Sequence, residues 1–414
     1  MQVAKFVRQF VFLTVAVGSI SVLSAASAGP ALAAQRVDSA AAVQTADQGI
    51  ATTCLKRALR KTRAGSAGAS ASIADAKRMR HTRAALRRRC AARLRAAANK
   101  QPQPPQAPAA IPGSLEIGID GGYSEWNSDE VEMRSALGAA VTRHEWDISE
   151  PVDSQDALVL KAADQVHTRI HALLGANELG DPGRYQEWVV DFIRRYGVGG
   201  SFWSEHPELD ESRYAITTFE LGNEPYYGGM TASQYADTVR PTLESVKELG
   251  LPAKLILPSV IFGSDTSWMD TLYKRIPNLN TLFYAFADHP YWYGHAPTEG
   301  GNDGPLSRVE TLRQHMNALG AADKPIFITE YGESTADCGE ECVSESVQAQ
   351  HLSEMLEAVV SHPDWGVKMF STFQLHDWGT DSSDREEQFG LLREDGSPKP
   401  AYGIVQGYAQ QYRG

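Results

Sequence analysis

The sequence predicts an α/β protein, a (β/α)8 TIM barrel preceded by a basic, partly helical N-terminal segment. Three observations predict it. From Ser114 onward, short apolar runs alternate with amphipathic helical windows, eight times over about 300 residues. Alternation of this kind argues for a parallel sheet, and eight units of this size suit a sheet closed on itself. The competing doubly wound open sheet usually places a Gly-rich phosphate loop after an early strand. Here "GIDGGYSEWNSDE" (118–130) puts acids and aromatic residues at that place.

Residues 1–34 read as a secretory signal peptide. Lys5 and Arg8 form its charged start, "FVFLTVAVGSISVL" its apolar core, and "ALAA" (31–34) a small-residue cleavage site. The apolar run is short for a spanning helix, and no later stretch is long and apolar enough to be one. The expectation is an exported soluble protein, secreted or extracellular, with cell-wall association an open possibility. Residues 35–98 form a basic tail. "CLKRALRKTR" and "DAKRMRHTRAALRRRCAARLRAA" have helical character, with Leu55 and Leu59 on one face and Met79, Leu86, Cys90 and Leu94 on another. "NKQPQPPQAPAAIPG" (99–113) is a Pro-rich, semi-rigid linker.

Within the barrel region, 114–414, the strand candidates are 115–119, 139–143, 165–174, 215–221, 254–260, 281–289, 325–331 and 367–375. The helix candidates are 129–138, 154–164, 183–196, 231–249, 266–276, 305–319, 344–361 and 400–412.

Charge divides the chain in the same way. Residues 35–111 carry sixteen Lys and Arg against three Asp and Glu, whereas 112–414 has a balance of −27. The tail is either a solvated basic helix or an electrostatic anchor for an anionic cell-wall polymer or membrane surface. Nucleic acid is disfavoured, because the tail lacks base-stacking aromatics. The acidic barrel disfavours anionic ligands. Export permits disulfides. Of the three pairings open to Cys54, Cys90, Cys338 and Cys342, the sequence-local one is expected, Cys54–Cys90 with Cys338–Cys342. A zinc site using all four would have to join tail to barrel. No metal or cofactor is expected, and a monomer is.

In such a barrel, function collects at the C-terminal strand ends. Standing there are Asp120, Tyr123 and Trp126; Arg143, His144, Trp146 and Asp147; Asn223, Glu224, Tyr226 and Tyr227; His289, Tyr291, Trp292 and Tyr293; Glu330, Tyr331 and Glu333; and Gln374, His376, Asp377 and Trp378. Flat aromatic faces stack on the apolar faces of sugar rings, and carboxylates and amides bond hydroxyls. Glu224 and Glu330 come from different walls and both project over the mouth. Cleaving a glycosidic bond needs two carboxylates flanking it, one to protonate the leaving oxygen and one to attack carbon or activate water. A single glutamate here would more simply be a rim salt-bridge partner; the pair points to catalysis.

"FELGNEP" (219–225), "IFITEYGE" (326–333) and "FGLLREDGSPKPAYGIV" (389–405) resemble the two glutamate motifs and closing segment of clan A glycoside hydrolases, retaining (β/α)8 enzymes. The resemblance covers the whole barrel and leans towards family 39, family 79 or cellulase-like branches. It implies Glu224 as acid/base and Glu330 as nucleophile. It implies Asn223 on the sugar 2-hydroxyl, Arg143 near the nucleophile, and His289 with Tyr291 after the sixth strand. Trp292, Trp378, Tyr226 and Trp126 are the further candidates for sugar contact. The expected substrate is a neutral poly- or oligosaccharide with β bonds. The alternative is a non-catalytic glycan-binding barrel held at the cell surface by the tail; transglycosylation would use the same residues.

Arg143 should favour ionised Glu330, and Glu224 should then have the raised pKa. The clan commonly floors its first sugar site with a Trp at the end of strand eight, where this chain has Phe370 and Phe373, with Trp378 beyond. A disulfide in "DCGEEC" (337–342) either stiffens the loop beside Glu330 or is a plain staple, and "GTDSSDREE" (379–387) is a solvated loop or a calcium loop. Glu220, a strand position below Glu224, should be buried and paired with a neighbour such as His167 or Arg169.

Overall fold

Eight parallel strands close into one barrel in sequence order: β1 Glu116–Asp120, β2 Val141–Trp146, β3 Arg169–Leu174, β4 Thr218–Leu221, β5 Lys254–Pro258, β6 Ala285–Asp288, β7 Ile326–Tyr331 and β8 Val367–Thr372. β1 pairs with both β2 and β8, which closes the ring. This is a computed structural model, and it describes residues 115–121, 126–175, 180–258 and 265–412. The signal peptide, the basic tail with its Cys54–Cys90 pairing, the linker and Tyr123 lie outside the described residues.

The helices surround the sheet: α1 Ser128–Leu137, α2 Val152–Lys161, α3 Pro182–Tyr196, α4 Ser201–Glu205, α5 Glu211–Tyr214, α6 Ala232–Glu248, α7 Ser267–Arg275, α8 Pro305–Ala318, α9 Glu345–Ser361 and α10 Pro400–Gln411. All eight sequence-derived strands and all eight helices are present. Their ends carry the expected local chemistry. Asn127 accepts from the N–H groups of Asp129 and Glu130 at the start of α1. Thr231 and Gln234 form a reciprocal capping box on α6. Pro182, Pro305 and Pro400 open α3, α8 and α10, where the missing N–H has no helical partner to lose.

Several strand ends shift by a few residues from the sequence reading, β2, β4 and β6 among them, and two further shifts bear on the site. The third run starts as helix: residues 162–166 add a π turn to α2, and His167 (φ 59°) ends it, so β3 begins only at Arg169. The last strand stops at Thr372, and the Phe373–Gln374 peptide is cis. The short helices α4 and α5 were also not foreseen.

Side-chain alternation splits each strand between two cores. Outward residues such as Phe219, Leu221, Ile328 and Phe370 pack against the helices. Inward, Val141, Ile256, Ala285, Ala287, Phe327 and Met369 form a separate apolar plug. Arg143, His171, Glu220 and Thr329 are buried with it. The barrel interior is thus apolar in one layer and charged in the next, towards the C-terminal strand ends.

Candidate active site

Arg143 organises the charged layer. Its Nε donates to Glu220 Oε2 at 2.8 Å, and its Nη2 to Glu220 Oε1 at 3.3 Å and Asn223 Oδ1 at 2.9 Å. Its Nη1 is shared between Asp120 (2.6 Å) and Glu330 (2.7 Å). Burial opposes the guanidinium charge, but Glu220, Glu330 and Asp120 together hold its pKa well above the usual value. The planar fork of arginine suits this task, since one side chain locks groups from β1, β4 and β7. Asn223 is fixed too: its oxygen faces Arg143, so its amide nitrogen is left to donate.

Glu220 is fully buried, as expected, but its partners are Arg143 and His171 rather than His167 or Arg169. The strand register explains the difference. His171 is the inward residue of β3 that meets β4, whereas Arg169 pairs with Glu116 and His167 bonds the Ala163 carbonyl outside the strand. Burial disfavours the Glu220 charge, yet Arg143 and His171 hold its carboxyl well below the ordinary range.

Glu224 and Glu330 meet across one imidazole. His289 Nδ1 stands 2.9 Å from Glu224 Oε1 and 3.6 Å from Glu330 Oε2. Tyr226 donates to Glu224 at 3.3 Å and Tyr291 to Glu330 at 3.0 Å. Two backbone features aim the carboxylates. Beyond β4 the chain turns through Gly222 (φ 88°), and Glu224 itself has φ 38°, an unusual conformation for a non-glycine residue that turns it over the mouth. On β7, Ile328 pairs with Phe370 and Tyr331 with Thr372, so three steps on one strand face two on the other. This bulge lets the successive residues Thr329 and Glu330 both reach the interior, which plain alternation forbids.

The electrostatics reverse the sequence-based expectation. Burial pushes the Glu330 carboxyl up, in spite of His289 and Arg143. Burial acts in the same sense on Glu224 and is its largest single influence, but the hydrogen bond and charge of His289, with Tyr226 and Arg143, together outweigh it and its pKa is lowered. His289 also pays for burial, yet Glu330 and Glu224 push its pKa up to about 9. The physical reason is that Arg143 is divided among three carboxylates, while His289 leans on Glu224. The opposite shifts of His289 and Glu224 both favour an ion pair across their 2.9 Å contact.

The aromatic candidates separate into groups. Trp378 is about half exposed, with its ring edge-to-face on Phe373 at 5.6 Å. Tyr226 packs at a tilt of 42° against exposed Tyr227, centroids 4.4 Å apart. Trp292 packs against His295, ring centroids 5.7 Å apart. Trp126 is a correction: it is 1% exposed, covered by the Arg134 guanidinium at 4.4 Å, and belongs to the core rather than the mouth. No Trp stands at the end of β8; half-buried Phe373 does, between Trp378 and Phe389.

The loop after β7 braces the site. Cys338 and Cys342 are bonded. Glu341 within that loop pairs with Arg385 at 2.7 Å, Arg385 lies over the Tyr293 ring at 4.2 Å, and Tyr293 stacks on Tyr291 at 5.2 Å. In 379–387 the carboxylates serve the loop itself: Asp381 accepts from Ser383, and Glu387 from the Asp381 N–H. Buried Lys399 holds Asp377 at 2.7 Å and so ties the closing segment to the loop after β8. A groove of about 930 Å³ opens beside this loop, lined by Asp120, Gln374, His376, Trp378 and Tyr402 among others. Sequence reasoning missed Thr329 and Arg385 as neighbours of the site; neither carries a signal without the bulge and the loop contact.

Residues 200–403 match the family described as glycosyl hydrolase catalytic core. No curated protein matches the sequence. Among solved structures, the chain is similar to a family 39 glycoside hydrolase from Bacteroides cellulosilyticus WH2, with a TM-score of 0.56 and 16% identity, covering 72% of this chain and 63% of that one. It is similar to a glucosidase from Croceicoccus marinus (TM-score 0.55, 16% identity, 73% and 69% covered). A GH5_18 protein from Bifidobacterium longum subsp. infantis shares the fold at a TM-score of 0.50 and 13% identity, with 72% and 79% covered. The chain thus spans less than two thirds of the family 39 enzyme. Residues 200–403 thus match a glycosyl hydrolase catalytic core, and the solved structures share the (β/α)8 barrel.

Proposed function

We propose that the barrel cleaves O-glycosidic bonds of a neutral poly- or oligosaccharide by double displacement, with Glu330 as nucleophile and Glu224 as acid/base. The observation that carries this reading is the contact of one His289 nitrogen with both carboxylates. Groups that share a neighbour so closely suit the short separation of a retaining pair, about 5–5.5 Å, better than the 6.5–9.5 Å that leaves room for a water. Tyr291 and Arg143 orient Glu330 towards the mouth. Asn223, fixed by Arg143, offers its amide to a sugar hydroxyl, and Phe373, Trp378 and Tyr226 offer rings to sugar faces.

The proton follows the geometry. His289 passes its Nδ1 proton to Glu224 Oε1, and Glu224 protonates the leaving oxygen as Glu330 bonds the anomeric carbon. Water then attacks that carbon, Glu224 takes the water proton, and Glu330 leaves. The acidic barrel repels anionic glycans, which favours neutral β-glucan, mannan or xylan chains. The N-terminal signal supports secretion, and the basic segment 54–98 supports contact with an anionic wall or membrane surface.

A panel of aryl β-glucosides, mannosides and xylosides tests the reading. Glu224→Gln and Glu330→Gln should each lower hydrolysis by at least a hundredfold, and proton NMR should show the first-formed product with retained configuration. If neither variant lowers hydrolysis, the barrel binds glycan without cutting it through this pair.

A further inference from the structure

Beneath the two carboxylates lies a buried polar chain outside the route of the transferred proton. His289 Nε2 meets Thr329 Oγ1 at 2.9 Å, and Thr329 Oγ1 meets Glu220 Oε1 at 3.3 Å. Thr329 and Glu220 are both fully buried. We propose that Thr329 and Glu220 are positioning residues that fix which nitrogen of His289 keeps its proton, leaving Nδ1 to supply the proton Glu224 uses. This rests on the glycosidase reading given above.

The direction of each hydrogen bond decides the matter. An ionised carboxylate only accepts. Glu220, gripped by Arg143 and His171, stays ionised, so the single O–H of Thr329 points at Glu220. Thr329 then shows a lone pair to His289, and Nε2 must carry hydrogen to meet it. A neutral imidazole has one N–H. With that hydrogen held on Nε2, the exchangeable position of His289 is Nδ1, 2.9 Å from Glu224.

The transfer balances within the trio. Protonated His289 with ionised Glu224 becomes neutral His289, still Nε2–H, with Glu224 as a neutral acid. The net charge is the same on both sides, so no charge enters or leaves a buried site. Without the Thr329 lone pair, Nε2–H would be a buried donor with no acceptor, which is costly. The neutral ring would then keep Nδ1–H, and Glu224 would remain an anion with no proton to give.

Glu224 and Glu330 both act on Nδ1 and while ionised favour a proton there; once Glu224 has taken that proton, the choice falls to the Nε2 side. Tyr291 meets the ring at 6.4 Å between centroids, and its hydroxyl is committed to Glu330. Arg143 acts on the ring charge as a whole. On the Nε2 side stand Thr329 and, at 4.0 Å, Glu220. The bulge in β7 is what permits this, because it turns Thr329 inward beside Glu330.

Thr329→Val removes the hydroxyl at constant shape, and Thr329→Ser keeps it. Two readouts separate positioning from mere packing. In Glu224→Gln protein labelled with ¹⁵N-histidine, where the amide can donate to Nδ1 as protonated Glu224 does, the His289 signals, assigned with a His289→Gln variant, are followed to pH 10.5. With Thr329 or Thr329→Ser the neutral ring should keep Nε2–H; with Thr329→Val it should turn over to Nδ1–H. In kinetics, phenyl β-glycosides need the acid and 2,4-dinitrophenyl β-glycosides scarcely do. Thr329→Val should lose at least tenfold more kcat/KM on the former than on the latter, and Thr329→Ser should recover most of it. Retention of Nε2–H in Thr329→Val, or equal losses on both substrates, would overturn the proposal. If Glu224→Gln is no worse than wild type on phenyl glycosides, the glycosidase reading fails instead, and the NMR result judges the tautomer alone.

Discussion

His289 Nδ1 lies 2.9 Å from Glu224 and 3.6 Å from Glu330, so one ring nitrogen couples the two carboxylates of the mouth. This places the working proton on a histidine whose pKa is pushed up to about 9. As pH rises through that value the trio loses its proton and Glu224 has none to give. We expect kcat/KM, which reports the free enzyme, to fall above about pH 9. His289→Gln should move that alkaline limb down by at least one pH unit, measured in a pH–rate profile.

Glu220 supports the fold as well as the site. Its carboxyl is depressed, so its stabilising effect is present above the unfolded value near 4.5 and is lost only as pH falls through the folded value, in strong acid. Glu220→Gln breaks a buried pair and should cost about 3–5 kcal/mol by denaturant unfolding. The gap to wild type should stay constant from pH 5 to 7.5 and shrink only in strong acid. A gap that closes by pH 4 would contradict the assignment.

The fold was legible because barrel strands buried on both sides read as apolar runs between helical windows, and all eight appeared in the sequence. The carboxylate pair was legible because both glutamates stand at or just beyond strand ends. What alternation could not show was the bulge that turns both Thr329 and Glu330 inward. Nor could it show that His171, rather than His167, meets Glu220, because the π turn shifts where β3 begins. Trp126 misled for a related reason. An aromatic residue just past a strand end faces either the mouth or the helices, and the contact with Arg134 sends it to the core.

The Cys338–Cys342 bond closes a very small loop, so its direct effect on stability should be modest, no more than about 2 kcal/mol. Its loop nevertheless carries Glu341, which holds Arg385 over Tyr293 and, through it, backs Tyr291. The double variant Cys338→Ser, Cys342→Ser should therefore lower kcat/KM several-fold while Tm drops by only a few degrees. Steady-state kinetics beside thermal unfolding checks this.

Trp378 offers a half-exposed face with little packing to lose. Trp378→Ala should raise KM for oligosaccharides about tenfold, near 1.4 kcal/mol, and leave Tm within about 2 °C of wild type. A large fall in Tm with unchanged KM would make it a structural residue.

The most direct test of the account is to trap the covalent intermediate. The enzyme is incubated with a 2,4-dinitrophenyl 2-deoxy-2-fluoro-β-glycoside of the sugar it turns over, digested, and mapped by mass spectrometry. The account predicts one fluoroglycosyl group, carried by the peptide that contains Glu330 and absent in Glu330→Gln. An adduct on any other residue, or rapid turnover with no adduct and an inverted product, would contradict it.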